Sequence, residues 1–225
     1  MKAIILAAGR GTRMQSLTLN TPKPLLKIKN KPVIEHVIDA LPAEVDEIIV
    51  VVKYLGDQIR QFLGNQFKGR KVSYAEGSNK GNAYSFLAAR PLIKAGERFL
   101  FVYGDEFPLK EDFENCLKKE LGVAVFESHN PRAHGMVTLG SDGMIEEVVE
   151  KPETSESNMA VDGIMVLNSD IFNYEPLPNQ KGEYYFTSLL NQFVKDHEVF
   201  PVPMKNFIGD VTAPGDLERV EKLIP

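Results

Sequence analysis

Two alternating periods along the first half of the chain constrain the fold most. Apolar runs at Ala3–Leu6, Glu47–Val52, Arg98–Tyr103 and Val123–Phe126 have the unbroken character of strands buried on both faces. Between them apolar residues recur at helical spacing. Val33, Val37 and Leu41 share one face of Pro32–Leu41, which opens on a proline suited to a first helical turn. Leu55–Leu63 and Asn82–Ala89 repeat the pattern. Strand, helix, strand, helix implies right-handed crossovers. The expected class is α/β, with a Rossmann-like, doubly wound, mostly parallel sheet covered on both sides.

From about Gly135 the character changes. Met136–Leu139, Ile145–Glu150 and Val161–Leu167 are short, partly alternating strands separated by turn signals such as Ser141-Asp142-Gly143. They predict a small antiparallel region that shapes the pocket of a second substrate. A helix at Tyr184–Lys195, a strand at Val199–Val202 and a closing helix at Pro214–Leu223 follow. With no linker, internal repeat or hexapeptide array, a single domain over residues 1–225 is expected.

Composition narrows the function. The formal net charge of −5 argues against a nucleic-acid binder. No run approaches the roughly 20 apolar residues of a membrane helix, so no membrane partner is expected. The apolar start breaks at a glycine too early for a signal peptide, and the single Cys116 cannot form an intrachain disulfide. Both fit a cytoplasmic protein. Against this acidic background residues 1–34 carry Lys2, Arg10, Arg13, Lys23, Lys27, Lys29 and Lys31 and no acidic residue. An acidic chain with one strongly basic segment suits a small, highly charged anion.

The basic segment begins at the end of the first strand, in Leu6-Ala7-Ala8-Gly9-Arg10-Gly11-Thr12-Arg13-Met14. In an open parallel sheet ligands bind beyond the carboxyl ends of the strands, so this loop is the first place to look. Met14 stands where a dinucleotide fingerprint requires a third glycine, and the Gly-Lys-Ser/Thr of a P-loop is absent. What remains is a loop whose backbone N–H groups can approach phosphates closely, with Arg13 offering a planar fork to their oxygens. His36, His129, His134 and His197 lack metal-ligand spacing and read as structural or surface residues.

LAAGRGTRM followed by Thr21-Pro22-Lys23-Pro24 resembles the signature of the sugar-1-phosphate nucleotidyltransferases, the nucleoside-diphosphate-sugar pyrophosphorylases. The resemblance continues in order along the chain. Gly104-Asp105 is similar to the family's metal-binding pair, and Glu150-Lys151-Pro152 to its Glu-Lys-Pro. Residues 157–163 resemble the strand lining the sugar pocket, and residues 209–217 the closing Asp-containing motif.

The resemblance implies a short, single-domain enzyme in which a sugar 1-phosphate attacks the α-phosphorus of a nucleoside triphosphate and pyrophosphate leaves. It assigns catalysis to Arg13 and Lys23, and nucleotide binding to Leu6, Ala7, Ala8, Gly9, Gly11, Thr12, Arg13, Glu76, Gly81 and Asn82. Glu76 would face the base. Gly135, Glu150, Lys151, Asn158, Asp162 and Glu183 would bind the acceptor, and Asp105 and Asp210 would hold Mg²⁺. A homo-oligomer is left open. Uridine or thymidine triphosphate is slightly favoured, but Asn82-Ala83-Tyr84-Ser85 also resembles cytidylyltransferases that act on phosphocholine or a related phosphorylated alcohol. A catalytically silent, nucleotide-sugar-binding regulatory subunit is the alternative from another class.

Overall fold

The computed structural model describes residues 1–179, 181–205, 208 and 211–224. In chain order the strands are β1 (Lys2–Ala7), β2 (Lys27–Ile28), β3 (Lys31–Pro32), β4 (Glu47–Val52), β5 (Gln66–Phe67), β6 (Arg70–Glu76), β7 (Arg98–Tyr103), β8 (Gly122–Glu127), β9 (Gly135–Leu139), β10 (Ile145–Glu150), β11 (Met159–Asn168) and β12 (Phe200–Pro203). The helices are α1 (Val33–Ala40), α2 (Gly56–Leu63), α3 (Asn82–Leu87), α4 (Lys110–Leu117), α5 (Thr187–Asp196) and α6 (Pro214–Leu223). Tight helical turns at Thr12–Thr18 and Lys23–Leu25 carry the basic signature.

The centre is the parallel set β7-β1-β4-β6, in register Phe101–Ile4–Ile49 across its first three strands. Because successive side chains point to opposite faces, these apolar runs supply two cores at once. Ile4, Leu6, Ile49, Val51, Phe99 and Phe101 face one side, where Phe86 of α3 and Leu189, Leu190 and Phe193 of α5 cover them. Ala3, Ile5, Ile48, Val50, Leu100 and Val102 face the other, against α1, α2 and α4. Full burial of each large side chain contributes about 1.5–3 kcal/mol. This is the doubly wound arrangement anticipated from the sequence.

One strand sits differently from expectation. β8 does not extend the parallel set; β11 lies between it and β7, antiparallel to both. Ten residues long, β11 pairs Met165 with Phe101 on one side and with Val123 on the other. The parallel partner of β8 is β12, whose Pro201 and Pro203 suit an edge. Beyond β11 the β9–β10 hairpin completes the antiparallel flank.

Candidate active site

Backbone hydrogen bonds tie together the ends of the parallel strands. Gly104 N–H donates to Leu6 O at 2.9 Å, and Gly77 N–H to Val52 O at 2.8 Å. Above this edge opens a cleft of about 650 Å³, lined by the loops after β1, β6 and β7 and by residues of β10, β11 and the segment leading into α5. Sheet order puts the loop after β6 toward one end, the loop after β1 in the middle and Lys151, after β10, toward the other.

The central loop combines openness with a rigid base. A Cβ on Gly9 would meet nothing within 4 Å, so its backbone faces free space. Gly11 adopts φ +62° beside Thr18 and Lys23, a left-handed conformation that a side chain would strain. Met14 is fully buried with Ile208, Val211 and Val220, and so anchors the loop to α6. That packing role explains why methionine occupies this position. Thr18 Oγ1 donates to Gly11 O at 2.9 Å. Among the described residues neither Arg10 nor Arg13 has a carboxylate within ion-pair distance, and both line the cleft. Lys23, held between Pro22 and Pro24 and only 8% exposed, forms an ion pair with Asp105 after β7.

Leu6, Ala7, Ala8, Gly9, Gly11, Thr12, Gly81 and Asn82 all line the cleft as expected for the nucleotide side, but Glu76 does not. Its exposed carboxylate accepts from Lys53 at 3.2 Å and Arg60 at 3.0 Å, clamping β6 to β4 and α2. The Lys53 hydrogen bond, ahead of Arg60, holds it below the usual carboxylate range. Ser78, Asn79 and Ser85, which lie in the same segment but were not assigned as binding residues from the sequence, form the wall instead. Ser85 Oγ accepts Ser78 N–H at 3.0 Å and fixes that turn.

Of the residues expected to bind the acceptor, Lys151, Glu150 and Asp162 line the cleft together. Lys151 Nζ lies 3.1 Å from Glu150 Oε1, while Thr187 Oγ1 donates to Glu150 Oε2 at 2.8 Å. The register of β11 with β8 shifts between Val161 and Met165, and Asp162 enters the cleft at this irregularity, its Oδ1 accepting Ile164 N–H at 3.2 Å. Gly135 lies beneath the wall, where a Cβ would stand 2.9 Å from both Thr187 Cγ2 and Val161 Cγ2. Asn158 and Glu183 are exposed and do not line the cleft. Asn158 donates to Glu127 at 2.8 Å, and Glu183 accepts from Tyr185 Oη at 3.1 Å. The same wall recruits Tyr103, Glu106, Phe126, His134 and Tyr185. Burial, followed by Glu150, Glu106, Asp105 and Asp162, pushes the Tyr103 phenol well above its ordinary range. His134, read from the sequence as structural or surface, lines the cleft as part of this wall.

Asp105 is the residue of the expected metal pair that can be placed; Asp210 lies outside the described residues. Among the described residues no group of three or more acidic, histidine or cysteine side chains forms a self-sufficient metal cage. A carboxylate beside Lys23 in the cleft instead suits a hard divalent ion that brings phosphate ligands with it.

Comparison with known proteins finds similarity along nearly the whole chain. The family model for nucleotidyl transferases matches residues 2–218. A bifunctional GlmU protein of Methanocaldococcus jannaschii is 32% identical across 100% of the chain and 54% of its own length. A bifunctional sugar-1-phosphate nucleotidylyltransferase/acetyltransferase of Sulfurisphaera tokodaii is 30% identical over 99% of the chain and 55% of its own. The chain thus spans about half the length of these relatives. The UTP–glucose-1-phosphate uridylyltransferase AglF of Haloferax volcanii is 27% identical and is covered over 96% of its length. A Bacillus anthracis crystal structure carrying the provisional name glucose-1-phosphate thymidylyltransferase superposes with a TM-score of 0.83 at 27% identity, covering 99% of this chain and 94% of that one. With the glycine–arginine loop, Lys23 and Asp105 gathered at one strand edge and the match running from end to end, the chain belongs to the nucleotidyl transferase family.

Proposed function

We propose that the protein transfers a nucleotidyl group from a nucleoside triphosphate to a sugar 1-phosphate, releasing pyrophosphate. One observation carries this reading. A single cleft is lined by the open Gly9–Arg13 loop, by Lys23 and Asp105 beside it, and by Lys151. An acceptor phosphate oxygen forms the new bond to the α-phosphorus, the α–β bridging bond breaks, and pyrophosphate takes the electron pair. Such a reaction asks for alignment and charge neutralisation rather than covalent help. Loop N–H groups and Arg13 receive the β- and γ-phosphates, Lys23 offsets charge on the α-phosphate, and Lys151 holds the acceptor phosphate so that two polyanions can meet. Asp105 is the described carboxylate that would hold Mg²⁺, which when bound would neutralise phosphate charge and orient the triphosphate.

Uridine or thymidine triphosphate is the favoured donor, supported by the uridylyltransferase and thymidylyltransferase names of the relatives. A second reading, a cationic alcohol phosphate such as phosphocholine as acceptor, draws on one feature. The rings of Tyr103, Phe126 and Tyr185 line the cleft together with the carboxylates of Glu106 and Asp162, a setting suited to a quaternary ammonium group. Pyrophosphate release measured across UTP, dTTP, CTP, GTP and ATP, each with glucose 1-phosphate, glucosamine 1-phosphate and phosphocholine, tests both. Turnover with UTP or dTTP and a sugar phosphate, abolished by chelator, is the expected result. Turnover with CTP and phosphocholine alone favours the second reading, and silence throughout, with nucleotide still bound, refutes catalysis.

A further inference from the structure

Lys151 has an unusual set of restraints for a partly exposed lysine. Its backbone sits at φ +46°, a left-handed conformation uncommon for a residue with a side chain. Its side chain is 38% exposed, yet the ammonium is 3.1 Å from Glu150 Oε1 and lies over the Tyr185 ring, 4.4 Å from the centroid. The Tyr185 hydroxyl donates to Glu183 Oε2 at 3.1 Å, and Glu183 in turn accepts from Asn179 at 3.2 Å. Burial alone would lower the pKa of Lys151; Glu150 first, and Tyr185 after it, more than offset this and hold the ammonium above its ordinary range.

We propose that Tyr185 is a positioning residue that aims the Lys151 ammonium at the phosphate of the incoming acceptor, with Glu183 locking the tyrosine from behind. This rests on the nucleotidyltransferase reading given above. The geometry supplies the reason. A flexible four-carbon side chain at the rim of a cleft would lose rotamer freedom on meeting a phosphate. Here the tyrosine face, the Glu150 carboxylate and the backbone conformation have already restricted it, so a smaller loss accompanies binding. Glu183 then acts two contacts away from the acceptor and is not a direct ligand of it, which accords with its absence from the cleft lining.

The test compares Tyr185→Phe, which keeps the ring, with Tyr185→Leu, which removes it, and with Glu183→Gln. Steady-state rates are measured with UTP and glucose 1-phosphate, or with whichever pair the substrate grid selects. Loss of a cation–π contact and the ordering it provides should raise the acceptor KM about tenfold in Tyr185→Leu. Tyr185→Phe should raise it less, and kcat and the triphosphate KM should stay near wild type in both. In protein whose lysines carry ¹³C-methyl labels, the Lys151 resonance should titrate at lower pH in Tyr185→Leu. Equal rises in both KM values with a lowered melting temperature would mean that the ring is merely structural, overturning the proposal. A Glu183→Gln effect on acceptor KM larger than that of Tyr185→Leu would make Glu183 a direct ligand and also overturn it. Turnover by the wild-type protein separates these results from failure of the functional reading, which silence across the grid would bring down together with this proposal.

Discussion

Asn82 and Phe186, 104 residues apart, are joined by a hydrogen bond from the Phe186 backbone N–H to Asn82 Oδ1 at 2.7 Å. Beside it the Ala83 N–H donates to Tyr184 O at 3.2 Å. The start of α3, on the proposed nucleotide side, is thereby stitched to the segment that leads into α5, on the proposed acceptor side. Gly81 makes the approach feasible, since a Cβ there would stand 2.3 Å from Tyr184 O at a backbone φ of +128°. Asn82 therefore positions two walls of the cleft through its carbonyl, while its amide nitrogen can donate to a ligand.

Replacing Asn82 by alanine leaves the N–H of a fully buried phenylalanine without its acceptor. The expected cost is about 1–3 kcal/mol of stability, the usual penalty for an unsatisfied buried donor. Asn82→Asp retains an acceptor oxygen and should lose less than half as much. Urea denaturation decides the matter: a lowered midpoint at unchanged m-value for alanine, with aspartate closer to wild type. Identical midpoints for the two variants would show that the bond contributes nothing.

Gly9→Ala separates fold from function at the basic loop. A methyl group there meets no neighbour within 4 Å, so the melting temperature should stay within about 2 °C of wild type, a shift expected of a near-neutral surface change. Backbone approach to the triphosphate would be obstructed, raising its KM at least fivefold, about 1 kcal/mol of lost binding. An unchanged KM, measured by pyrophosphate release at saturating acceptor, would place the phosphates away from Gly9.

The layers were readable because each central strand is apolar on both faces, and the boundaries of β4, β7 and α6 coincide with the sequence expectation. β6 escaped notice because only Val72 and Ala75 of its side chains are buried; Arg70, Lys71 and Glu76 disguise a strand next to the short edge strand β5. α4 escaped because two apolar side chains, Phe113 and Cys116, carry most of its buried face. Lys23 and Asp105 were legible since both lie in short motifs. The fate of Glu76 was not, because it depends on where Lys53 and Arg60 project from other elements. Tyr185 and His134 likewise acquire meaning only when segments distant in sequence are set side by side.

Tyr103 should limit alkaline stability. Its phenol pKa is raised by burial and then by the surrounding carboxylates, so the folded state keeps a proton that the unfolded chain releases above its ordinary pKa near 10. The unfolded state then binds fewer protons, and stability falls as pH rises from about 10 toward the folded pKa. The slope for one proton is about 1.4 kcal/mol per pH unit. Tyr103→Phe removes that proton from the balance. Denaturant midpoints between pH 9 and pH 11 should therefore fall less steeply for the variant, the two curves running parallel below pH 9. Equal slopes throughout would mean that Tyr103 ionises as freely in the fold as outside it.

The Lys23–Asp105 pair could be a structural ion pair or two halves of a catalytic centre, and a double substitution distinguishes them. With side chains only 10% and 30% exposed, removing either partner leaves a poorly solvated charge. Lys23→Met and Asp105→Asn should each cost about 1–3 kcal/mol of stability. Combining them eliminates both charges and should recover most of that loss. Turnover should behave otherwise. Each single variant should lose at least a hundredfold in kcat, roughly 2.7 kcal/mol of transition-state stabilisation, and the double variant should remain as impaired as the worse single one, because neither the cation for the α-phosphate nor the carboxylate for a divalent ion has been restored. Stability from urea titration and kcat from pyrophosphate release, measured on the same four proteins, give the answer. Recovery of turnover together with stability in the double variant would reduce the pair to a structural ion pair and move the chemistry elsewhere in the cleft.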